Sequence, residues 1–284
     1  MKVAFGTVVY EQAWQWWSQF VDSINGQSES AFELLIINDG IELNKIETFK
    51  KSLKPSCHIF YAQERGNISQ IRMQLLRQAK QMGYDLLILG DFDDTFSSNR
   101  VRGIMESWDE TVGFFYHNLR DESQEDIFCS LPKCVSSLEQ ILEQNFLGLT
   151  NTALNLQLLS ESFLEFLQPV KTNVFDWYLY AKLLLQGQEG RLVENVYTIY
   201  RQQEHNLVGI IKADNESICR EIYVKREQYR LLQKDTLIAA ELLIKYGELE
   251  SLEGDDLRVY LNNNTNRYWW SNLKVYKLGG KENV

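Results

Sequence analysis

The sequence predicts an α/β fold: an open mixed sheet flanked by helices over residues 1–210, followed by a helical appendage over 211–284. Apolar runs at 3–10 (VAFGTVVY), 32–39 (FELLIIND), 57–63 (CHIFYAQ) and 84–91 (YDLLILGD) alternate with stretches of helical spacing, the rhythm of βαβ units in a parallel sheet. Polar residues collect where those runs stop: Tyr10 and Glu11, then Asn38 and Asp39, then Asp91 to Asp94. In an open α/β sheet the carboxyl ends of the strands form the ligand crevice, so these clusters, distant in sequence, are expected to share one cleft. With 284 residues, of which 44% are hydrophobic and 12% aromatic, the chain has ample material for a core.

In the first connection Trp14, Trp17, Val21 and Ile24 recur at steps of three and four, and in the third Ile68, Ile71, Leu75, Ala79 and Met82 do the same. Each helix thereby gains one face for the sheet. Beyond residue 100 the alternation weakens. The run at 112–118 (VGFFYHN) reads as a further strand, 137–148 (SLEQILEQNFLG) as a helix ended by Gly148, and 174–187 as a helix that starts at Asp176 and stops at Gly187. Residues 191–206 return to strand character, 214–247 are helical and charged, and the tail is rich in aromatics. There is no internal repeat and no low-complexity linker.

Composition removes several function classes. A net charge of −10 without an offsetting Lys/Arg cluster argues against nucleic acid as a partner, and a phosphate bound by such a chain calls for a metal. Four cysteines without CxxC spacing and three histidines in all do not suggest a zinc site, and the cysteines read as reduced thiols. The opening MKVAFGTVVYEQ is too short an apolar stretch for a signal peptide, and no run of about 18 apolar residues could span a bilayer. The expected location is the cytoplasm, with docking at the inner face of the membrane left open.

The string LLILGDFDDTF, residues 86–96, drives a buried strand into Asp91, Asp93 and Asp94. Carboxylates this close repel by roughly 4 kcal/mol per pair at ~4 Å and an effective dielectric of about 20, so a positive partner is expected. Two chemistries fit. Carboxylates can hold a divalent cation that neutralises the diphosphate of a nucleotide-sugar. Alternatively Asp91 is a nucleophile and Asp93 its acid partner, in the DxDxT manner of haloacid-dehalogenase-like phosphatases. The phosphatase pattern wants this motif on the first strand and a late strand ending in paired acids. Here roughly three strand–helix units precede it, and the late pair Asp255-Asp256 follows helical text.

The remaining motifs stand in one order: the opening strand ending near Tyr10, FELLIINDG with Asp39, ERGNISQIRMQLL with Asn67 and Arg72, the DFDD cluster, NFLGLTNTAL, FDWYLYAKLLLQG and YRQQEHN. Over residues 2 to 208 this order resembles a family 2 glycosyltransferase of the GT-A fold, of the type that builds bacterial surface polysaccharides. Glu11 departs from the Asn common in that family, and Phe175 stands before Asp176 where many members have an acid.

The resemblance implies an inverting, metal-dependent transfer of a sugar from a nucleoside-diphosphate donor to a hydroxyl of a carbohydrate or lipid-linked acceptor. It implies nucleotide-sugar contacts from Tyr10, Asp39, Asn67, Arg72, Asp91, Phe92 and Asp93. A Mn²⁺ or Mg²⁺ would be held among Asp91, Asp93, Asp94 and His205. Arg72 would pair with Asp39 or the diphosphate, Asp94 would be a further ligand or the cap of the next helix, and Asp176 would be the general base, kept ionised by its helix start. A GT-A module that binds nucleotide-sugar without turning it over is the alternative.

Plainer roles compete with each assignment. Asp39 can simply turn the chain at NDG, Asp176 can cap its helix, Arg72 can be a solvated helix residue and His205 an ordinary loop histidine. Trp14, Trp16, Trp17, Trp269 and Trp270 are expected to pack rather than stack on sugar. Tail aromatics with Arg267, Lys274 and Lys277 could rest on a membrane interface, and the 214–247 helix could form a homo-oligomer contact.

Overall fold

The computed structural model describes residues 1–167, 171–201, 215–252, 255–262 and 266–275. The predicted βαβ order holds in the first hundred residues: β1 (Val3–Tyr10), α1 (Trp17–Asn25), β2 (Glu33–Asp39), α2 (Leu43–Ser52), β3 (Cys57–Tyr61), α3 (Ile68–Gln81) and β4 (Leu86–Leu89). The first connection begins as a tight 3₁₀ turn over Glu11–Trp16 before α1. Strands β1, β2, β3 and β4 are parallel, β1 lying between β2 and β4. Chain progress runs outward from β1 to β3 and then returns to the other side of β1. The crevice of such a sheet opens at that reversal, between the ends of β1 and β4.

The second half adds β5 (Thr95–Phe96), α4 (Arg100–Glu106), β6 (Phe114–Arg120), β7 (Cys134–Val135), β8 (Thr152–Asn155), α5 (Glu161–Phe166), α6 (Phe175–Leu185) and β9 (Gly190–Ile199). Among the described residues the nine strands form one mixed sheet ordered β3-β2-β1-β4-β8-β6-β9-β5, with β7 on β9. Two helices, α7 (Asn215–Leu232) and α8 (Leu237–Leu249), pack on each other after the sheet.

Strand side chains alternate between two cores. Ala4, Leu35, Ile37, Leu87 and Leu89 face one side, and Val3, Phe5, Leu34, Ile36, Leu86 and Ile88 the other. Helices α3, α6, α7 and α8 cover the first side. The second is filled by α1, α2 and α4 around Phe5, Phe20, Phe49, Phe92 and Phe96, each buried and worth about 1.5–3 kcal/mol relative to exposure.

One predicted helix does not form. Only Leu138–Gln140 make a 3₁₀ turn within 137–148. The carbonyls that would continue the helix serve tertiary partners: Ile141 accepts the Trp177 indole N–H at 2.6 Å, and Leu142 accepts the Tyr229 hydroxyl at 3.0 Å. Asn145 instead pairs with the tail, exchanging both backbone hydrogen bonds with Trp269 at 2.8 Å. The tail residues 271–275 are held by a buried network in which Lys225 pairs with Glu221 at 2.9 Å and donates to the Leu273 carbonyl at 2.6 Å. Glu221 in turn accepts the N–H groups of Asn272 and Leu273, and Glu143 accepts that of Val275.

Trp269 and Trp270 are buried, in keeping with a packing role. No helix among the described residues is long and apolar enough to cross a membrane.

Candidate functional site

The parallel register sets Tyr10 beside Asp39, at the ends of β1 and β2. Asn38 stitches the turn that follows, its amide donating to the Ile41 carbonyl at 2.9 Å while its oxygen accepts the Ile41 N–H at 2.7 Å. Asp39 is thus not the residue that holds the turn. Its carboxylate accepts the N–H of Gly66 at 3.2 Å, where Gly66 adopts φ +72. Glu11 turns outward to pair with Lys45 at 2.9 Å.

At the end of β4, Gly90 allows the chain to pass between Phe5 and Phe96, whose ring carbons would stand 2.6 Å from any Cβ placed there. The three aspartates that follow take different surroundings. Asp91 is half-buried, and its carboxylate lies 3.8 Å from the Arg72 guanidinium on α3. Arg72 therefore faces Asp91 rather than Asp39 and is not merely a solvated helix residue. Asp93 is almost buried, and its backbone carbonyl accepts from Arg201 at 2.7 Å.

Asp94 is fully enclosed, with one carboxylate oxygen accepting the Thr150 hydroxyl at 2.6 Å and the other the Arg201 N–H at 2.8 Å. Burial, with the charges of Asp93 and Asp91, pushes its acidity well below that of a free carboxyl, against the pull of those two hydrogen bonds. Asp94 does not cap α4, where Asn99 occupies the cap position. Phe92 packs its ring against Phe20 at 4.9 Å and Phe49 at 5.6 Å, so its side chain is core and does not reach the cleft.

The positive charge expected from the sequence is partly present in the protein. Arg100, wholly buried, donates to the carbonyls of Leu89 and Thr150, so one guanidinium fixes both the end of β4 and the loop that holds Asp94. Burial pulls its pKa down to about 9, while Asp94 and Asp91 hold it charged. Arg201 follows β9 and also reaches Gln19 and Glu122.

Asp176 lies in the first turn of α6, but the cap position belongs to Val174, and no side chain caps the helix. Asp176 is therefore not the cap residue, although its carboxyl accepts N–H groups of the first turn. Its carboxyl pKa is raised above the ordinary value by burial, opposed by Arg72 and by the N–H groups of the helix start. The helix start does favour the ionised form, as the sequence suggests, but desolvation outweighs the local N–H groups.

A cavity of about 140 Å³ gathers Arg72, Asp91 and Asp176 with Gly148, Thr150, Tyr200, Trp269 and Trp270. Burial, and then the charges of Asp93, Asp91 and Asp94, drive the Tyr10 hydroxyl pKa upward. Asn67 caps α3, accepting the Gln70 N–H at 3.3 Å, and lines a neighbouring cavity. His205 lies outside the described residues. Reading the sequence missed Arg100, Thr150, Tyr200 and Arg201, and it gave the tail tryptophans a packing role without a place in the cavity wall. Thr150, Tyr200 and Arg201 sit inside the motifs NFLGLTNTAL and YRQQEHN, so their signal was present.

Among the described residues no group of three His, Cys, Asp or Glu side chains is placed to hold a metal ion. A Mg²⁺-type cation in phosphate chemistry needs only one or two carboxylates, the rest of its shell being water and phosphate oxygens. Asp91 and Asp93 are hard oxygen donors of that kind, and the guanidinium partners offset only part of the cluster's charge, so the donor set fits such a cation. Asp94, with both oxygens engaged, fits better as their anchor than as a ligand.

No protein-family model matches the chain, and no curated protein matches it in sequence. Solved structures do. S. aureus TarS in complex with UDP-GlcNAc aligns with a TM-score of 0.58 at 15% identity, covering 87% of this chain and 71% of that one. The mannosyltransferase PcManGT from Pyrobaculum calidifontis, in complex with GDP-Man and Mn²⁺, aligns at 0.55 and 12%, covering 87% and 73%. GalNAc-T7 with UDP, GalNAc and Mn²⁺ aligns at 0.54 and 13%, covering 82% and 48%. The chain has the GT-A glycosyltransferase fold.

Proposed function

We propose that the chain is a glycosyltransferase that takes a sugar from a nucleoside-diphosphate donor and transfers it, with inversion, to an acceptor hydroxyl. The observation that carries this reading is the meeting of Arg72, Asp91 and Asp176 in one cavity at the carboxyl ends of the strands. Structures of this fold in complex with UDP-GlcNAc or GDP-Man support the donor class.

Tyr10 and Asp39, at adjacent strand ends, serve the base and ribose. Arg72 serves the diphosphate, to which a guanidinium offers paired N–H donors. Asp91 and Asp93 would hold a Mn²⁺ or Mg²⁺, which when bound neutralises charge on the diphosphate. Asp94 and Arg100 keep the two carboxylates in place.

Asp176 accepts the proton of the acceptor hydroxyl as that oxygen bonds to the anomeric carbon. The bond from that carbon to the diphosphate oxygen breaks on the opposite face, and the nucleoside diphosphate leaves with the electron pair. A raised carboxyl pKa suits a base, because proton affinity and ionisation are then both available near neutral pH. Carbohydrate and lipid-linked acceptors both supply such a hydroxyl, and the C-terminal segment that walls the cavity serves acceptor recognition.

The test is thermal stabilisation by UDP-, GDP-, dTDP- and CMP-sugars, with Mn²⁺ and with EDTA. One donor class should raise the Tm in metal, a ligand at about 100 times its Kd adding ~2.7 kcal/mol, and Asp93→Asn should remove the metal-dependent part. Stabilisation by none of these donors, or an Asp93→Asn protein that binds as tightly as wild type in Mn²⁺, overturns the reading.

A further inference from the structure

A second cavity, of about 540 Å³, opens beside the first and is lined by Arg65, Lys171, Tyr223 and Arg230 together with the start of α3. Its charge runs against the rest of the molecule: the chain carries −10 overall, yet among the described residues three cations and one anion, Glu227, line this space. Glu227 is taken by Arg230 at 2.7 Å, while Arg65 and Lys171 extend from exposed positions.

The walls are built. The Ser69 hydroxyl donates to the Thr172 carbonyl at 2.7 Å and accepts the Thr172 N–H at 3.2 Å, which binds the loop bearing Lys171 to the first turn of α3. That turn also contributes the positive end of a 14-residue helix. The cavity neighbours the one that holds Asp176: Asn173 and Val174 line both, and Asp176 follows two residues on.

We infer that this cavity binds a phosphate group of the acceptor, placing Arg65, Lys171 and Arg230 around the anion while the acceptor hydroxyl reaches Asp176. The inference rests on the glycosyltransferase reading and narrows it to phosphate-bearing acceptors. The expectation that any phosphate here requires a metal then applies to the donor cleft alone. An ordinary solvated surface would not gather three cations against one anion in a concave site next to the candidate base of an acidic protein.

The phosphate could belong to a soluble chain or to a lipid headgroup, and one experiment separates these. In EDTA, where the metal needed at the donor site is removed, the full chain is titrated calorimetrically with sn-glycerol 3-phosphate. It is also sedimented with phosphatidylglycerol and with phosphatidylcholine vesicles. Wild type should bind glycerol 3-phosphate saturably, and the double reversal Arg65→Glu/Lys171→Glu should weaken it about tenfold or more, as loss of charge-assisted hydrogen bonds requires. Reversal of Lys51→Glu, on α2 and outside the cavity, serves as the control.

Sedimentation with the anionic vesicles alone, lost in the double variant, supports the inference with a lipid source. Glycerol 3-phosphate binding without sedimentation supports it with a soluble source. No binding to either, or equal weakening by Lys51→Glu, overturns it. Nucleotide binding through Asp93 is measured separately, so this failure is distinct from failure of the glycosyltransferase reading.

Discussion

Asn145 and Trp269 exchange both of their backbone hydrogen bonds at 2.8 Å, and through that pairing the tail of the chain becomes a wall of the cavity that holds Asp91 and Asp176. Gly148 makes the pairing possible: a Cβ there would stand 2.8 Å from a ring carbon of Trp269. Gly148→Ala should therefore destabilise the protein by about 1–3 kcal/mol, as overpacking does. Adding Trp269→Leu should recover part of that loss, a coupling readable from the four denaturant melts of a double-mutant cycle. Strictly additive losses would show that the two residues do not meet.

Arg100 joins the end of β4 to the loop at Thr150 from a position without solvent exposure. Arg100→Leu should cost about 3–5 kcal/mol, the range for breaking a buried ionic arrangement by removing one partner. Arg100→Lys should rescue part of the loss, because both carbonyls are bonded by a single guanidinium nitrogen and an ammonium carries donors enough for two. Chemical denaturation measures both, and an Arg100→Leu protein as stable as wild type would show that the guanidinium holds nothing.

The parallel half of the sheet was legible because β1, β2 and β4 are buried on both faces and read as nearly unbroken apolar runs, with Tyr10, Asp39 and Asp91 at their ends. The short strands β5, β7 and β8 have two to four residues and too little length for a periodic signal. Residues 137–148 carry a sound helical pattern that loses to tertiary hydrogen bonds from Trp177, Tyr229 and Trp269, partners distant in sequence. Arg100 was invisible for the same reason: it reads as the start of an ordinary helix, and only the fold brings it under the aspartates. Phe92 shows the reverse error, since adjacency to Asp91 in sequence does not imply adjacency in the cleft when strand-end side chains alternate in direction.

Asp176 also sets a pH dependence. Its pKa is raised in the fold above the ordinary 3.8, so between that value and its folded pKa the native state binds more protons than the unfolded chain. Stability contributed by this group must fall as pH rises through that window. Asp176→Asn should flatten that part of the stability profile. The acid limb of turnover should likewise lie above the usual carboxylate range, and Arg72→Gln, which removes a charge that lowers the Asp176 pKa, should move it to higher pH. A limb that stays in place or moves to lower pH would separate Asp176 from the rate.

The most direct measurement compares donor affinity and donor turnover in Asp176→Asn. Val174 holds the cap position, and asparagine keeps a side-chain oxygen for the first-turn N–H groups, so the variant should fold with a Tm near that of wild type. Arg72, Asp91 and Asp93 are untouched, so nucleotide-sugar affinity should also stay near wild type. Donor hydrolysis, with water as acceptor, should fall by roughly 10²–10⁴-fold, the contribution expected of a positioned general base. An Asp176→Asn protein that folds, binds donor and hydrolyses it within a few-fold of wild type would contradict the assignment of Asp176 as the base and, with it, the proposed course of transfer.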